Sequence, residues 1–277
     1  MREALHRLSS NRRWRYGAIL LAVLGALAAL APLLAPYDPT TQLGSARQLL
    51  PPSATHPFGT DMFGRDVLSR VIYGARISFV IALFSVLLSV TIGTGVGITA
   101  GYGTRLLDAV VMRAVDAALA IPRVFLLLLV LALWERVDVL SLIVILGATS
   151  WFGVSRIVRS EVLSVRERCY MEAARSLGVG HRRILLYHLL PNVTTPVIVA
   201  ATLGMGQIVL IEAGLSFLGL GIQEPTASLG RMMQSGSTLL VNAPWTSIFP
   251  GAVIVLTVIG FSLVGDGFRD TLDPRTT

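Results

Sequence analysis

Long apolar runs without charged residues alternate along the chain with shorter polar segments that are rich in arginine. A helix needs about 20 residues to cross the hydrocarbon core of a membrane, and a charge near the middle of such a helix is costly. The pattern therefore predicts an all-α integral membrane protein with about six transmembrane helices. The predicted spans are 17–36, 77–104, 114–134, 139–155, a fifth within 189–211 that can extend to 217, and a sixth within 232–265, centred on 246–261.

The third span rests on a shorter uncharged run, 124–134. A helix over 114–134 reaches across a membrane only if Arg123 extends its side chain to one surface. Pro122 is expected to shape the entry to this helix rather than to mark a site.

Composition agrees with a membrane protein and indicates its orientation. Charged residues make up 14% of the 277 residues, against about 25% in a soluble domain, and the mean hydropathy is +0.71. All 23 basic residues are arginine, and basic residues collect in cytoplasmic loops. With the N-terminus inside, 17 arginines fall in inside loops and six in outside loops. We therefore predict a multi-pass membrane protein with both termini in the cytoplasm, and no nucleic acid partner.

The N-terminal apolar run is predicted to stay attached. Five arginines precede it, as in a secretory signal, but 17–36 is longer than the apolar region of a cleaved signal, about 7 to 15 residues. We expect residues 1–76 to form a cytoplasmic arm, the first transmembrane helix and an external segment. The second half of that segment reads as an amphipathic helix on the outer interface, and residues 77–277 form the core transmembrane domain.

Glycine recurs every fourth residue in the second span, at Gly93, Gly97 and Gly101. This spacing lines one helix face with glycine and lets another helix approach closely. A helix contact is favoured over a pore lining.

A charged segment, "EAARSLGVGHRRILLYHLLPN" (172–192), lies between two apolar runs. An apolar stripe at helical spacing leads into it, formed by Val162, Val165, Cys169, Ala173 and Leu177. Gly178 is expected to end this helix in a left-handed conformation, and a second short helix, 181–190, is expected to end before Pro191. Glu172 can pair with Arg168 and Arg175 on the helix surface. From residue chemistry alone, the segment is either a docking contact for a partner or a solvated loop that orients the protein.

Three separated blocks resemble a known family. Glu172-Ala173-Ala174, with Gly178 and Leu190-Pro191, resembles the EAA loop of binding-protein-dependent ABC importer permeases. The blocks "HPFGTDMFGRDVLSRVIYGARISF" (56–79), "EAGLSFLGLGIQEP" (212–225) and "GDGFRDTLDPR" (265–275) resemble the C-type subunit of the dipeptide/oligopeptide/nickel permeases. One departure is His188, where the EAA loop often has isoleucine.

The resemblance implies a fold and a set of partners. The fold is that of a type I ABC importer permease in the bacterial plasma (inner) membrane, with a cytoplasmic coupling loop over 159–192. The implied function is the ATP-driven import of dipeptides or oligopeptides, in which this chain forms half of the translocation path. The partners are a homologous permease subunit, two cytoplasmic ATPases that bind ATP and Mg²⁺, and an external substrate-binding protein, within membrane lipid. The resemblance implies an ATPase-docking surface that contains Glu172, Ala173, Ala174, Arg175, Gly178, Arg182, Leu190 and Pro191.

This chain is predicted not to be an enzyme and to bind no cofactor or metal. The Walker A pattern requires a lysine, and the chain has none. The single cysteine, Cys169, excludes an intrachain disulfide and a multi-cysteine metal site. The four histidines are scattered and form no i, i+4 ligand pair within a span.

Glu212 follows the fifth apolar run and is a candidate for the translocation path, because ionisable residues at membrane depth are often functional. The alternative places it at the outer surface, where the span ends. Two other functions stay open: an ABC permease for nickel or another small solute, and an ATP-independent carrier or channel.

Overall fold

The computed structural model describes residue 8 and residues 11–42, 44–134 and 137–272. Arg2, Arg7, Arg136 and Arg275, which enter the orientation count, lie outside these residues. The described helices are α1 (Arg12–Ala29), α2 (Ala31–Leu34), α3 (Val67–Tyr102), α4 (Arg105–Ala120), α5 (Arg123–Ala132), α6 (Val139–Arg166), α7 (Cys169–Ser176), α8 (His181–Ile184), α9 (Leu190–Phe217), α10 (Leu229–Ser237) and α11 (Trp245–Leu272). A 3-10 turn spans Ser45–Arg47 and a π-helical segment spans Leu185–Leu189. The predicted all-α class is confirmed.

Four helices in the described residues are long and apolar enough to cross a membrane, against six predicted spans. They are α3, α6, the continuous helix His181–Phe217 that joins α8 to α9, and α11. A fifth span results if α4 and α5 are taken as one bent unit. The predicted first span corresponds to α1, which carries Arg12, Arg13 and Arg15 within its 18 residues.

The prediction of one helix over 114–134 is wrong. Helix α4 ends at Ala120, and α5 leaves it at an angle of 80°. Pro122 causes this break, because it disfavours the helical conformation of the residue before it, and Ile121 is extended with ψ 123°. The ten residues of α5 rise only about 15 Å, half of the hydrocarbon core. Arg123 therefore begins a short helix after the bend.

Helices α3 and α6 pack along the glycine face, as predicted. A Cβ atom added at Gly93 would lie 2.7 Å from Val154 Cβ, and one at Gly97 would lie 2.7 Å from Ser155 O. The same holds for Gly101 against Val162, at 2.8 Å. The three glycines thus serve a helix contact within the chain.

The external amphipathic helix and the second span are one helix. Asp66 caps α3 by accepting hydrogen bonds from Ser69 N and Ser69 Oγ. From there α3 runs for 36 residues, across the predicted domain boundary at 76. Val67 and Arg70 are buried, so this first part of α3 is packed against the rest of the protein. Its position at the outer membrane interface stays a prediction.

Candidate functional site

The charged segment after α6 stands on a small hydrophobic core of its own. Met171, Ile184 and Leu189 are buried and pack with valines of α6 and α9. The side chains that point away from this core, Glu172 and Ala173, are exposed. Leu177 is an apolar residue whose side chain is 83% exposed. We call the segment from α7 to Pro191 the coupling segment, after its predicted role; its outer face is exposed.

Gly178 ends the first helix of the coupling segment as predicted. It has φ +73°, a left-handed conformation that glycine adopts without steric penalty. The N–H of Val179 donates to Ala174 O at 3.1 Å, the hydrogen bond that marks a Schellman C-cap. A Cβ atom at Gly178 would meet nothing within 4 Å, so backbone conformation, and not space, requires glycine here.

The prediction that the second short helix ends before Pro191 is wrong. The chain continues from α8 through the π-helical segment into α9, with Pro191 in the first turn of α9. Leu190 N donates to Leu185 O, five residues earlier. Such a widened turn lets the helix accommodate a proline, which has no backbone N–H and crowds the preceding turn. The coupling segment is therefore joined directly to a membrane-spanning helix.

The apolar stripe into the coupling segment is also interrupted. Val162 and Val165 are buried, but α6 ends at Arg166, and the new helix α7 turns Cys169 and Ala173 to solvent. Met171 and Ala174 are the buried residues among the side chains of α7 that the structure describes. The sequence pattern alone does not predict the break between α6 and α7 near Glu167.

Three further residues of the predicted docking set are exposed: Arg182, Pro191 and Leu190, the last with 39% exposure. Arg168 Nη2 lies 3.9 Å from Glu161 Oε1, so it pairs backward along α6 and not with Glu172. The side chain of Arg175 lies outside the described part of the chain.

Glu212 is fully buried near the end of α9 and does not reach the surface. Its carboxyl group accepts hydrogen bonds from Ser78 Oγ at 2.9 Å, Ser216 Oγ at 2.9 Å and Ser228 Oγ at 3.2 Å. These serines belong to α3, α9 and the N-terminal cap of α10. Glu212 thus joins three elements through hydroxyl groups.

A buried ion-pair cluster beside the start of α3 was not foreseen. Arg65 pairs with Asp61 at 2.7 Å and with Glu224, and Arg70 Nη2 lies 3.2 Å from Glu224 Oε1. Partial burial alone would raise the pKa of Glu224, but the hydrogen bond from Arg65 and the positive charges of Arg70 and Arg65 outweigh it and lower that pKa. Residues 61–70 and the loop after α9 are held together in this way, although they are more than 150 positions apart.

The segment 56–66, which precedes α3, is also fixed to α11. Trp245 Nε1 donates to Thr60 O at 3.1 Å, and a Cβ atom at Gly59, which has φ +74°, would lie 2.7 Å from Trp245 Nε1. His56 Nδ1 lies 2.9 Å from Asp66 Oδ1 in a buried contact. The block 56–66 therefore connects the N-terminal ends of α3 and α11, and its polar residues form these contacts.

Comparisons with known proteins agree along the whole chain. A sequence model for binding-protein-dependent transport system inner membrane components matches residues 93–277. A model for the N-terminal transmembrane domain of oligopeptide transport permease C matches residues 1–52.

Two curated relatives cover nearly the full length. The dipeptide transport system permease protein DppC of Alkalihalophilus pseudofirmus is 40% identical over 99% of this chain and 90% of its own length. The oligopeptide transport system permease protein OppC of Bacillus subtilis is 36% identical over 99% of this chain and 89% of its own length. Among solved structures, the crystal structure of an amino acid ABC transporter with histidines has a TM-score of 0.56 at 18% identity. It covers 74% of this chain and 95% of the other, and this likeness concerns the fold.

Proposed function

Because the chain belongs to the family of binding-protein-dependent transport system inner membrane components, we propose that it is the C-type permease subunit of an ATP-driven importer of dipeptides or oligopeptides. The curated relatives at 36–40% identity are named as dipeptide and oligopeptide permeases, which supports peptides over nickel. The chain is a multi-pass inner membrane protein and a transport component, not a catalytic enzyme.

In this proposal the chain forms half of the translocation path and a homologous permease subunit forms the other half. Two cytoplasmic ATPases bind ATP and Mg²⁺, and a binding protein delivers the peptide from outside. Both termini are cytoplasmic. Residues 1–76 supply the N-terminal arm, α1 and the external block, and residues 77–277 supply the core of the path.

The exposed face of α7 is the observation that carries the coupling role. Glu172 and Ala173 in α7, and Leu177 directly after it, are exposed to solvent, while Met171 is buried in the core beneath. An ATP-independent carrier has no need for a rigid, partly apolar surface at this place. Through the π-helical segment the coupling segment continues into α9, so displacement by an ATPase would move a membrane-spanning helix. Such a ligand-driven shift between two states is the usual basis of switching.

The test uses the reconstituted complex of both permease subunits, the ATPases and the binding protein. Glu172→Lys reverses a charge on the docking face, and Glu167→Lys makes the same change at an exposed residue before α7. We expect Glu172→Lys to uncouple ATP hydrolysis from peptide uptake or to release the ATPases, and Glu167→Lys to retain coupled uptake.

A second matched pair tests the conformation of the turn. Gly178→Ala strains a left-handed residue, at a cost of about 1–2 kcal/mol, whereas Gly180 has φ −63° and open space around it. Coupling should fall in Gly178→Ala and persist in Gly180→Ala. Unchanged coupled transport in both Glu172→Lys and Gly178→Ala would show that the docking assignment is wrong.

A further inference from the structure

A cavity of about 240 Å³ lies between α3, α5, α6 and α9. Most of its lining is apolar or glycine, as is usual for small-molecule sites, which add a few placed polar groups. Its polar lining residues in the described part of the chain are Ser89, Arg123, Ser150 and Gln207. The cavity is large compared with the space that one water needs.

Arg123 is the one charged residue on this lining among the described residues. Its Nη2 donates to Leu146 O at 3.3 Å and to Ser150 Oγ, and its buried Nε has no hydrogen-bond partner in the described residues. No carboxylate among the cavity residues neutralises the guanidinium. A positive charge without a counter-ion at such a site favours an anionic ligand.

The position of Arg123 within the helix bundle makes its positive charge energetically unfavourable. Its partners Leu146 and Ser150 lie about 10–17 Å along α6 from Val139, at 1.5 Å per residue, and α6 has 28 residues. The guanidinium therefore lies beside a helix that is long and apolar enough to span the membrane, about two to three turns from the first residue of that helix. An ionisable residue at this depth marks a substrate or ion pathway by default.

We propose that Arg123 binds the free C-terminal carboxylate of a peptide while the peptide passes through the cavity. Ser89, Ser150 and Gln207 form hydrogen bonds with the amide groups of the same peptide. This inference rests on the proposed peptide transport and adds a residue that selects for the ionised terminus. The break at Pro122 positions the site, because it turns α5 so that its first residue meets α6.

The experiment separates this role from the binding protein's own selectivity. The complete complex is reconstituted, and transport of alanylalanine and of its C-terminal amide is measured at concentrations that saturate the binding protein for each. For the free acid, we expect Arg123→Gln to lower the maximal transport rate roughly tenfold to hundredfold, the range for a lost charge-assisted hydrogen bond. For the amide, Arg123→Gln and the unaltered complex should be equal.

Two controls distinguish the positioning of substrate from general damage. Arg113→Gln removes an exposed arginine of α4 and should leave both rates unchanged, and Arg123→Lys, which keeps the charge, should recover part of the free-acid rate. Equal loss for acid and amide, no loss for either, or a loss that follows the anionic phospholipid content of the vesicles would overturn the inference. If the unaltered complex transports no dipeptide and no oligopeptide, the proposed function itself is refuted.

Discussion

The glycine seam between α3 and α6 allows a prediction whose size follows from geometry. A Cβ atom at Gly97 would lie 2.7 Å from Ser155 O and 2.7 Å from Val158 Cβ, about 1 Å closer than carbon atoms normally approach. Gly97→Ala therefore forces the two helices apart, and overpacking of this kind costs about 1–3 kcal/mol. Gly95, on the same helix, has nothing within 4 Å of an added Cβ.

The matched pair isolates the packing cost. Both substitutions replace glycine by alanine inside one helix, a change that by itself favours the helix by about 0.5–1 kcal/mol, so this contribution cancels in the comparison. At about 2–4 °C per kcal/mol for a chain of this size, Gly97→Ala should melt roughly 2–12 °C below Gly95→Ala. Thermal unfolding of the purified permease, followed by intrinsic fluorescence and circular dichroism, measures the gap. Equal melting temperatures would refute the close approach of α3 and α6.

Three further outcomes are expected. Met171→Ala removes most of a fully buried side chain, so it should lower the free energy of unfolding by about 2–5 kcal/mol and lower coupled uptake. Leu177→Ala should leave stability unchanged and weaken only ATPase co-purification. The reverse pattern would contradict the assignment of the two faces. Glu212→Gln should reduce peptide uptake severalfold while the complex still assembles on gel filtration, and wild-type uptake would remove Glu212 from the mechanism. Because folding lowers the pKa of Glu224, this residue contributes stability above its unfolded pKa, about 4.3, and that stability is lost as pH falls through the folded pKa. Glu224→Gln should thus have a lower melting temperature than wild type at pH 7, and this difference should shrink in acid. A difference that stays constant with pH would argue against the ion pairs.

Features governed by local chemistry could be predicted from the sequence. The all-helical membrane class follows from long uncharged runs, and the left-handed Gly178 follows from glycine after a helical pattern. The contact of Gly97 with α6 follows from its regular spacing with other glycines. Each of these depends on a few neighbouring residues.

Features set by tertiary contacts could not be predicted. Pro122 is compatible with a helix entry and with a bend, so the sequence alone did not predict the 80° break between α4 and α5. The continuation of α9 through Pro191 needs the π-helical turn, which has no sequence signal of its own. The pairing of Arg65 with Glu224 joins positions 159 residues apart, a contact that needs the whole fold.

Sidedness of the coupling segment tests the central claim most directly. Cys169 is the single cysteine, so Cys169→Ser gives a cysteine-free background. In this background, Ala173→Cys places one thiol on the exposed face of α7. Val241→Cys, in a second variant, places one on the turn before α11, where the native side chain is 95% exposed. We predict that a membrane-impermeant maleimide labels position 173 only in inside-out vesicles, more slowly once the ATPase subunits are added back, and labels position 241 only in intact cells. Labelling of position 173 from outside intact cells would contradict the account.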